Sequence, residues 1–357
     1  MTVQHDTRTR PELAAALRES VYLPTMTLGA YQRRIAEAGP LLPSLLDFER
    51  PGADAALRAL ADTVTEFDSD GTGRGDSYRR AQRTTMVRWT GMRQILRLAS
   101  PPASSHAGTV LDVLGGDGTI ARAVSRAADA TLGHMSVLTG DVSGTMVERA
   151  LEQGLPAVRQ SADFLFLRDG AVDATLLAYG THHIAPRDRP AAVAEAVRVT
   201  RAGGRVLLHD FDESSPMARF FTEVVHPCST AGHDYRHFSR PSLTALFDGA
   251  GIPASVHDLY DPLTVTADSE ERARQDMCDH LRDMYGIRAF FDGHEDIRDA
   301  WNSLVRYFDH TDYLAATRLR DPESVPSAPV IRRRGNRYVA EVPRVALLAV
   351  GRTPPRT

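Results

Sequence analysis

Two textures of hydrophobic spacing divide the chain near residue 108. Before it, apolar residues recur three and four positions apart in ELAAALRESV (12–21), ADAALRALADTV (53–64) and YRRAQRTTMVRWTGMRQILRLA (78–99). That period predicts amphipathic helices over most of residues 11–100. DSDGTGRGDS (68–77) is a glycine and aspartate loop between the last two, and SPPASSHAG (100–108) breaks the pattern as a linker. From Thr109 onward, short apolar runs alternate with helical segments, as a parallel sheet with crossover helices requires.

Strands are predicted at TVLDVLG (109–115), HMSVLTGDVS (134–143), PAVRQSADFLFL (156–167, with its exit loop), VDATLLAYGTHHI (172–184) and RVLLHDFDE (205–213). The helix RPAAVAEAVRVTRAGG (189–204), closed by glycine, precedes the fifth. A sixth, ASVHDLYDPLTV (254–265), is separated from the last, YVAEVPRVALLAVGRT (338–353), by an insertion that is helical at 270–286 and 295–314 and then proline-rich. These patterns set the expected organisation: an N-terminal helical region over 1–100, a core over 101–268, a helical lid over 269–335, and a last core strand and tail over 336–357. The arginine run 332–337 is expected to be a solvated loop before that strand.

Composition narrows the chemistry. All 42 basic residues are arginine, so a pyridoxal Schiff base, a P-loop lysine and a lysine nucleophile are excluded. Against 46 acidic residues they leave a formal charge of -4, which offers no uniform field to nucleic acid or an anionic membrane. The two cysteines, Cys228 and Cys278, are too few for a thiolate zinc or iron–sulfur site, and fit a reducing cytoplasm. Apolar runs such as Val345 to Val350 fall far short of the roughly 20 residues of a membrane span. A cytoplasmic protein acting on a small molecule, with no nucleic-acid or membrane partner, is expected; homodimerisation stays open.

Candidate ligand-binding residues sit at the strand tips. Asp112 ends the first strand just before Gly115, Gly116 and Gly118, where a turn without β-carbons admits a ligand to the backbone. Gly116, Gly118 and Ala121 also fit the G-x-G-x-x-A dinucleotide pattern, which keeps a nicotinamide enzyme as an alternative. Asp141, at the second tip, is placed to accept both hydroxyls of a ribose, and Asp163 with Phe164, after the third, to meet a purine.

In this order the residues resemble the class I S-adenosylmethionine-dependent methyltransferases, in particular their small-molecule branch, over about 109–265 and 338–351. VLDVLGGDGT is similar to that family's first motif and GDVSGTMVERA to its second, while YVAEVPRVALLAVGR is similar to its reversed last strand; the chain departs at Leu114, where the family usually has glycine. The resemblance implies a seven-stranded Rossmann-like α/β sheet and S-adenosyl-L-methionine as cofactor. It assigns Asp112, Gly116 and Gly118 to the methionine half, Asp141 to the ribose, Asp163 and Phe164 to the adenine, and Tyr179 with Gly180 to the edge beside the sulfonium. Methyl transfer to a small molecule in bacterial specialised metabolism is the function it favours. Alternatives are a cyclisation or rearrangement that uses the cofactor without consuming it, and a cofactor-sensing or partner-binding subunit.

Of the thirteen histidines, six fall at or beside the same sheet edge. His182 and His183 follow the fourth strand, His209 with Asp210 ends the fifth, and His226, His233 and His237 lie in HPCSTAGHDYRHFSR. Imidazole titrates near working pH, so His182, His183 or His233 is the candidate general base, with Tyr235 and His237 shaping the acceptor pocket. No metal is required by this reading. His182 and His233 also occupy places similar to the iron-ligating histidines of an α-keto acid C-methyltransferase, which leaves a metal-dependent variant open.

Overall fold

A computed structural model describes residues 18–355 apart from 70, 72, 101–107, 128 and 133. Most of the first expected helix, 12–21, and the linker 101–107 lie outside the described residues. The core is a seven-stranded sheet of β1 (Thr109–Asp112), β2 (Ser136–Asp141), β3 (Ala157–Arg159), β4 (Val172–Leu177), β5 (Thr200–Asp210), β6 (Ala254–Tyr260) and β7 (Val345–Arg352). Its order is β3-β2-β1-β4-β5-β7-β6, and β7 runs antiparallel to both neighbours while the other pairings are parallel. The strand order reverses between β1 and β4, so a crevice opens at the carboxyl ends of those strands.

The crossover helices are locally specified. Ser143 caps Gly144–Glu152 by accepting from the Met146 amide, and Ser239 closes a capping box on Arg240–Gly249. Between β4 and β5, the helix Arg189–Val199 stops earlier than glycine 203 or 204 would have stopped it. Thr200 is already extended and opens β5, which gains its leading residues through an irregular register against β4.

The last two strands differ from expectation in the same way. ASVHDLYDPLTV is interrupted at Asp261–Pro262, and YVAEVPRVALLAVGRT at Pro343–Arg344. Proline cannot donate to a ladder. At these breaks each chain leaves the core sheet, and Leu263–Ala267, Arg337–Val342 and Val330–Arg334 form a separate three-stranded antiparallel sheet. The arginine run is therefore the turn end of a hairpin, in which Arg334 pairs with Arg337 around Gly335 at φ +62°.

The breakpoints hold each other. The Asp261 amide donates to the Arg344 carbonyl at 2.9 Å, and Arg344 Nη2 reaches the Asp261 carboxylate at 2.7 Å, with both side chains fully buried. Against them runs the insertion helix Glu270–Tyr285, capped by Ser269 at one end and by Gly286, at φ +66°, at the other. Met277, Leu281 and Tyr285 pack with Phe220, Phe221, Trp301 and Leu304 into an apolar cluster over the carboxyl ends of the strands.

The N-terminal region is helical over Leu28–Ala38, Leu41–Leu45, Ala53–Ala61, Gly75–Gln82 and Trp89–Ala99, with a short hairpin, Val21–Leu23 with Met26–Thr27, that the periodicity did not show. Its first part clamps the β3 edge. Tyr22 and Tyr31 hydroxyls donate to the Arg159 and Ala157 carbonyls, and Arg159 donates to the carbonyls of Tyr22, Leu60 and Val142. No helix among the described residues is long and apolar enough to cross a membrane.

Candidate active site

A cavity of about 330 Å³ lies where the strand tips, residues 64–88 and the insertion meet. Its floor is the turn after β1. Gly116 and Gly118 have φ of +58° and +86°, values that L side chains rarely adopt, and a β-carbon at Gly115 would come within 2.8 Å of Thr139. Leu114, in contrast, needs no glycine: Tyr179 is the one described non-glycine residue with positive φ, and Leu114 simply lines the cavity.

Asp112 and Asp141 stand at adjacent strand tips. Asp141 accepts from the amides of Gly116 and Ser143, both at 2.8 Å, yet burial still pushes its carboxyl up to about 6. Burial, and then the charge of Asp141, push Asp112 up to about 8, with Arg88 opposing; its Oδ1 has no hydrogen-bond partner among the described residues. Two buried carboxyl groups short of positive charge form a site that a cationic ligand would relieve. Arg88 lines the same cavity, donating to Gln82 and lying 4.9 Å from the Tyr179 ring, with no ion-pair partner among the described residues.

Tyr179 turns the chain out of β4 at φ +58°. Such strain persists only where the surroundings over-determine it. Here the hydroxyl donates to Asp261 at 3.2 Å and the ring packs 4.5 Å from His209. The turn Thr181–His183 follows and delivers His182 and His183 to the cavity wall.

The two remaining adenine candidates are not brought here. Asp163 is exposed and accepts from the Ser161 hydroxyl, and Phe164 packs under the Arg50 guanidinium, 4.3 Å away; neither lines the cavity. After β3, Leu165, Phe166 and Leu167 are all buried, and Phe164 packs against the same core with its ring 5.6 Å from that of Phe166, away from the crevice. Val142 and Met146 occupy the cavity wall beside Asp141 instead.

His182, His183, His233, Tyr235 and Phe221 make the opposite wall. Asp210 accepts from the His182 amide at 2.7 Å and lies 2.9 Å from its Nδ1, while His237 Nδ1 sits 3.5 Å from the same carboxylate. These neighbours hold Asp210 well below the usual carboxylate range against the effect of burial. His183 Nδ1 is 3.4 Å from Glu66, which also pairs with Arg74. His233 is stacked on Phe221 at 4.2 Å, and neither of its ring nitrogens has a hydrogen-bond partner among the described residues. Burial lowers the proton affinity of His182, drives His183 far down and takes His233 to about 2. Neutral imidazoles of this kind are lone-pair donors more than proton stores.

Glu66, Arg74, Tyr78, Arg88, Tyr285 and Arg344 also line the cavity and were invisible to strand-tip reasoning, because they come from the N-terminal region, the insertion and, for Arg344, the break just before β7. Arg344 follows a proline at a strand break, and only that break marked it.

A sheet with one reversed strand, and a glycine turn facing an acidic tip on the next strand, define the core of the class I S-adenosyl-L-methionine-dependent methyltransferases. Residues 110–204 match the methyltransferase domain family model, within a core that has the class I methyltransferase fold. Among curated relatives, the ubiquinone/menaquinone biosynthesis C-methyltransferase UbiE of Brucella anthropi is 34% identical over 120 residues, 31% of this chain and 44% of that protein. UbiE of Rhizobium johnstonii is 38% identical over 112 residues, 29% and 42% respectively. The matches thus span less than half the length of these relatives. Of solved structures, the YcgJ protein of Bacillus subtilis aligns at 18% identity and TM-score 0.42 over 74% of this chain and 99% of that one.

Proposed function

We propose that this chain transfers the methyl group of S-adenosyl-L-methionine to a small molecule held in the cavity. The observation that carries the reading is the continuity of that cavity, which runs from Gly116 and Asp141 on the donor side, past Tyr179, to the wall of His182, His183, His233 and Tyr235. In this reading Asp141 accepts the ribose hydroxyls, Asp112 faces the cationic methionine portion, Arg88 pairs with its carboxylate, and Tyr179 with Gly180 borders the sulfonium. Asp163 and Phe164 have no part in it.

The reaction is a displacement. A lone pair or carbanion of the acceptor attacks the methyl carbon, the carbon–sulfur bond breaks, and its electron pair returns to sulfur as neutral S-adenosylhomocysteine. Alignment is the main demand on the protein. The imidazole wall orients and activates the acceptor, and the insertion helix with residues 64–88 covers it against water. The curated relatives are C-methyltransferases of quinone biosynthesis, which supports methyl transfer; their match covers too little of the chain to name the acceptor atom. An acceptor from specialised metabolism is supported by the large insertion that builds the acceptor side.

The test is to incubate the chain and S-adenosyl-L-methionine with a metabolite library and follow S-adenosylhomocysteine by mass spectrometry. Its accumulation with a product heavier by one methylene supports the reading. Product formed without S-adenosylhomocysteine would replace it with cofactor-assisted rearrangement.

A further inference from the structure

We infer that the insertion carries a second ligand site, separate from the donor cavity, which takes an aromatic α-amino acid as its zwitterion. The inference goes beyond the methyltransferase reading and does not depend on it.

A cavity of about 380 Å³ lies between the helical run that starts at Pro216 and the insertion helix Ile297–Tyr307, and it shares no lining residue with the donor cavity. Arg219 and Glu223 line it from the first, and Ser303, Arg306 and Tyr307 from the second. On a regular α-helix, an arginine and a glutamate four positions apart stand one above the other and pair. Here the run widens to π turns over Phe221–Val225, which shifts Glu223 out of that register. Neither side chain has an ion-pair partner among the described residues. Wide turns of this kind are rare and occur frequently at functional sites.

Hydrogen bonds hold the arginines in place. His294 Nδ1 lies 2.7 Å from the Phe290 carbonyl, so that nitrogen carries the proton, and Nε2 accepts from the Ser303 hydroxyl 2.9 Å away. The Ser303 oxygen accepts in turn from Arg306 Nη2 at 2.9 Å. Arg219 Nη2 donates to the Arg306 and Tyr307 carbonyls, at the end of the insertion helix, at 3.0 and 3.2 Å. Each guanidinium is thus anchored by one amino group, and the rest of its fork stays available to a ligand. Arg306, like Arg219, has no carboxylate partner among the described residues.

The walls select the ligand. Two guanidinium groups with donors to spare suit a carboxylate, and Glu223 suits an ammonium. Phe290 and Tyr307, both half-buried and with ring centroids 6.2 Å apart, offer an apolar surface that an aromatic side chain would cover. Glu223 disfavours a ligand that is only an anion, and the two arginines disfavour one that is only a cation. An α-amino acid carries both charges on one carbon, and the cavity volume lies in the range of small-molecule sites.

Calorimetric titration of the full chain with L-phenylalanine tests the site, with S-adenosylhomocysteine at saturation so that the donor cavity is filled. One saturable binding event per chain is expected. Phenylpropionate, which lacks the ammonium, and phenethylamine, which lacks the carboxylate, should each bind at least about 10-fold more weakly. Glu223→Gln and Arg306→Gln should each weaken L-phenylalanine binding by about 10-fold. S-adenosylhomocysteine affinity at the parent value shows that these variants are folded. A chain that binds S-adenosylhomocysteine but shows no saturable L-phenylalanine binding overturns the site and leaves the methyltransferase reading standing. Affinity unchanged in either variant overturns it as well, as does an analogue that binds as tightly as L-phenylalanine. A chain that binds L-phenylalanine but not S-adenosylhomocysteine upholds the site and counts against the methyltransferase reading.

Discussion

Asp210 holds His182 at two points, accepting from its main-chain amide at 2.7 Å and lying 2.9 Å from its Nδ1. The end of β5 thereby fixes both the turn that follows β4 and the tautomer of the imidazole it carries. The acceptor wall takes its geometry from the sheet through this contact. The donor wall takes its own from the Gly116 amide on Asp141.

Replacement of Asp141 by alanine should weaken S-adenosyl-L-methionine binding by about 1–3 kcal/mol, the scale of a buried polar group losing its partner. The same change frees the Gly116 and Ser143 amides, so the effect combines a lost ligand contact with a loosened turn. Calorimetry reads it directly. Donor affinity equal to that of the parent chain would rule out the ribose assignment.

Donor binding should release protons at pH 7. Asp112 titrates near 8 in the free chain and is therefore mostly protonated at neutrality, whereas a bound sulfonium and ammonium favour its ionised form. Affinity should rise as pH increases from about 6 to 8 and level off above. Calorimetry in two buffers of different ionisation enthalpy counts the protons. Asp112→Asn should lose most of the release, and a parent chain that released none would refute the assignment.

Gly91→Ala should destabilise the protein, although alanine is ordinarily the better helix former by about 1 kcal/mol. Gly91 lies in the helix Trp89–Ala99, and a β-carbon there would stand 1.8 Å from Asp261 Oδ1. The methyl would push Asp261 off Arg344 and Tyr179. Breaking a buried ion pair costs about 3–5 kcal/mol, so the steric effect wins. A urea midpoint at or above the wild-type value would contradict this.

His280 should make the fold sensitive to acid. It is buried on the insertion helix, its Nε2 has no partner, and burial, followed by the charges of Arg88 and Arg344, takes its pKa down to about 3. The unfolded chain takes up this proton below about pH 6.5 and the native chain does not, so stability falls as pH drops through that range. At pH 5 the cost is about 2 kcal/mol relative to pH 7.5. His280→Leu should remove it, narrowing the gap between urea midpoints at the two pH values; an unchanged gap would show that His280 is not responsible.

The strand and helix sequence of the core was legible because burial imposes its period on a chain locally. TVLD and SVLTGD each bury apolar residues and end in an acid, as strands whose tips face a ligand crevice do. Asp112, Gly116, Gly118, Asp141 and Tyr179 were singled out by their positions at the ends of such runs, and of these Gly116, Asp141 and Tyr179 line the cavity. Asp163 and Phe164 were singled out by the same logic and do not line the cavity, since the sequence does not say which side of an exit loop faces the crevice. The breaks at Pro262 and Pro343 were each visible as prolines, but that the two lie opposite one another is a fact of pairing.

The sequence by itself determined the strand and helix order of the core, its resemblance to the class I methyltransferases and the gathering of six histidines at or beside one sheet edge, because those properties depend on residue type and short-range spacing. Tertiary structure alone decided which side chains from residues 64–88, the loop around His233 and the segment around Arg344 close over that edge. It also decided that Asp210 stands behind His182 and that two nitrogens of His233 are buried without partners. These relations join residues far apart in the chain, and no local period records them, because they arise only when separate layers compete for the same interior space.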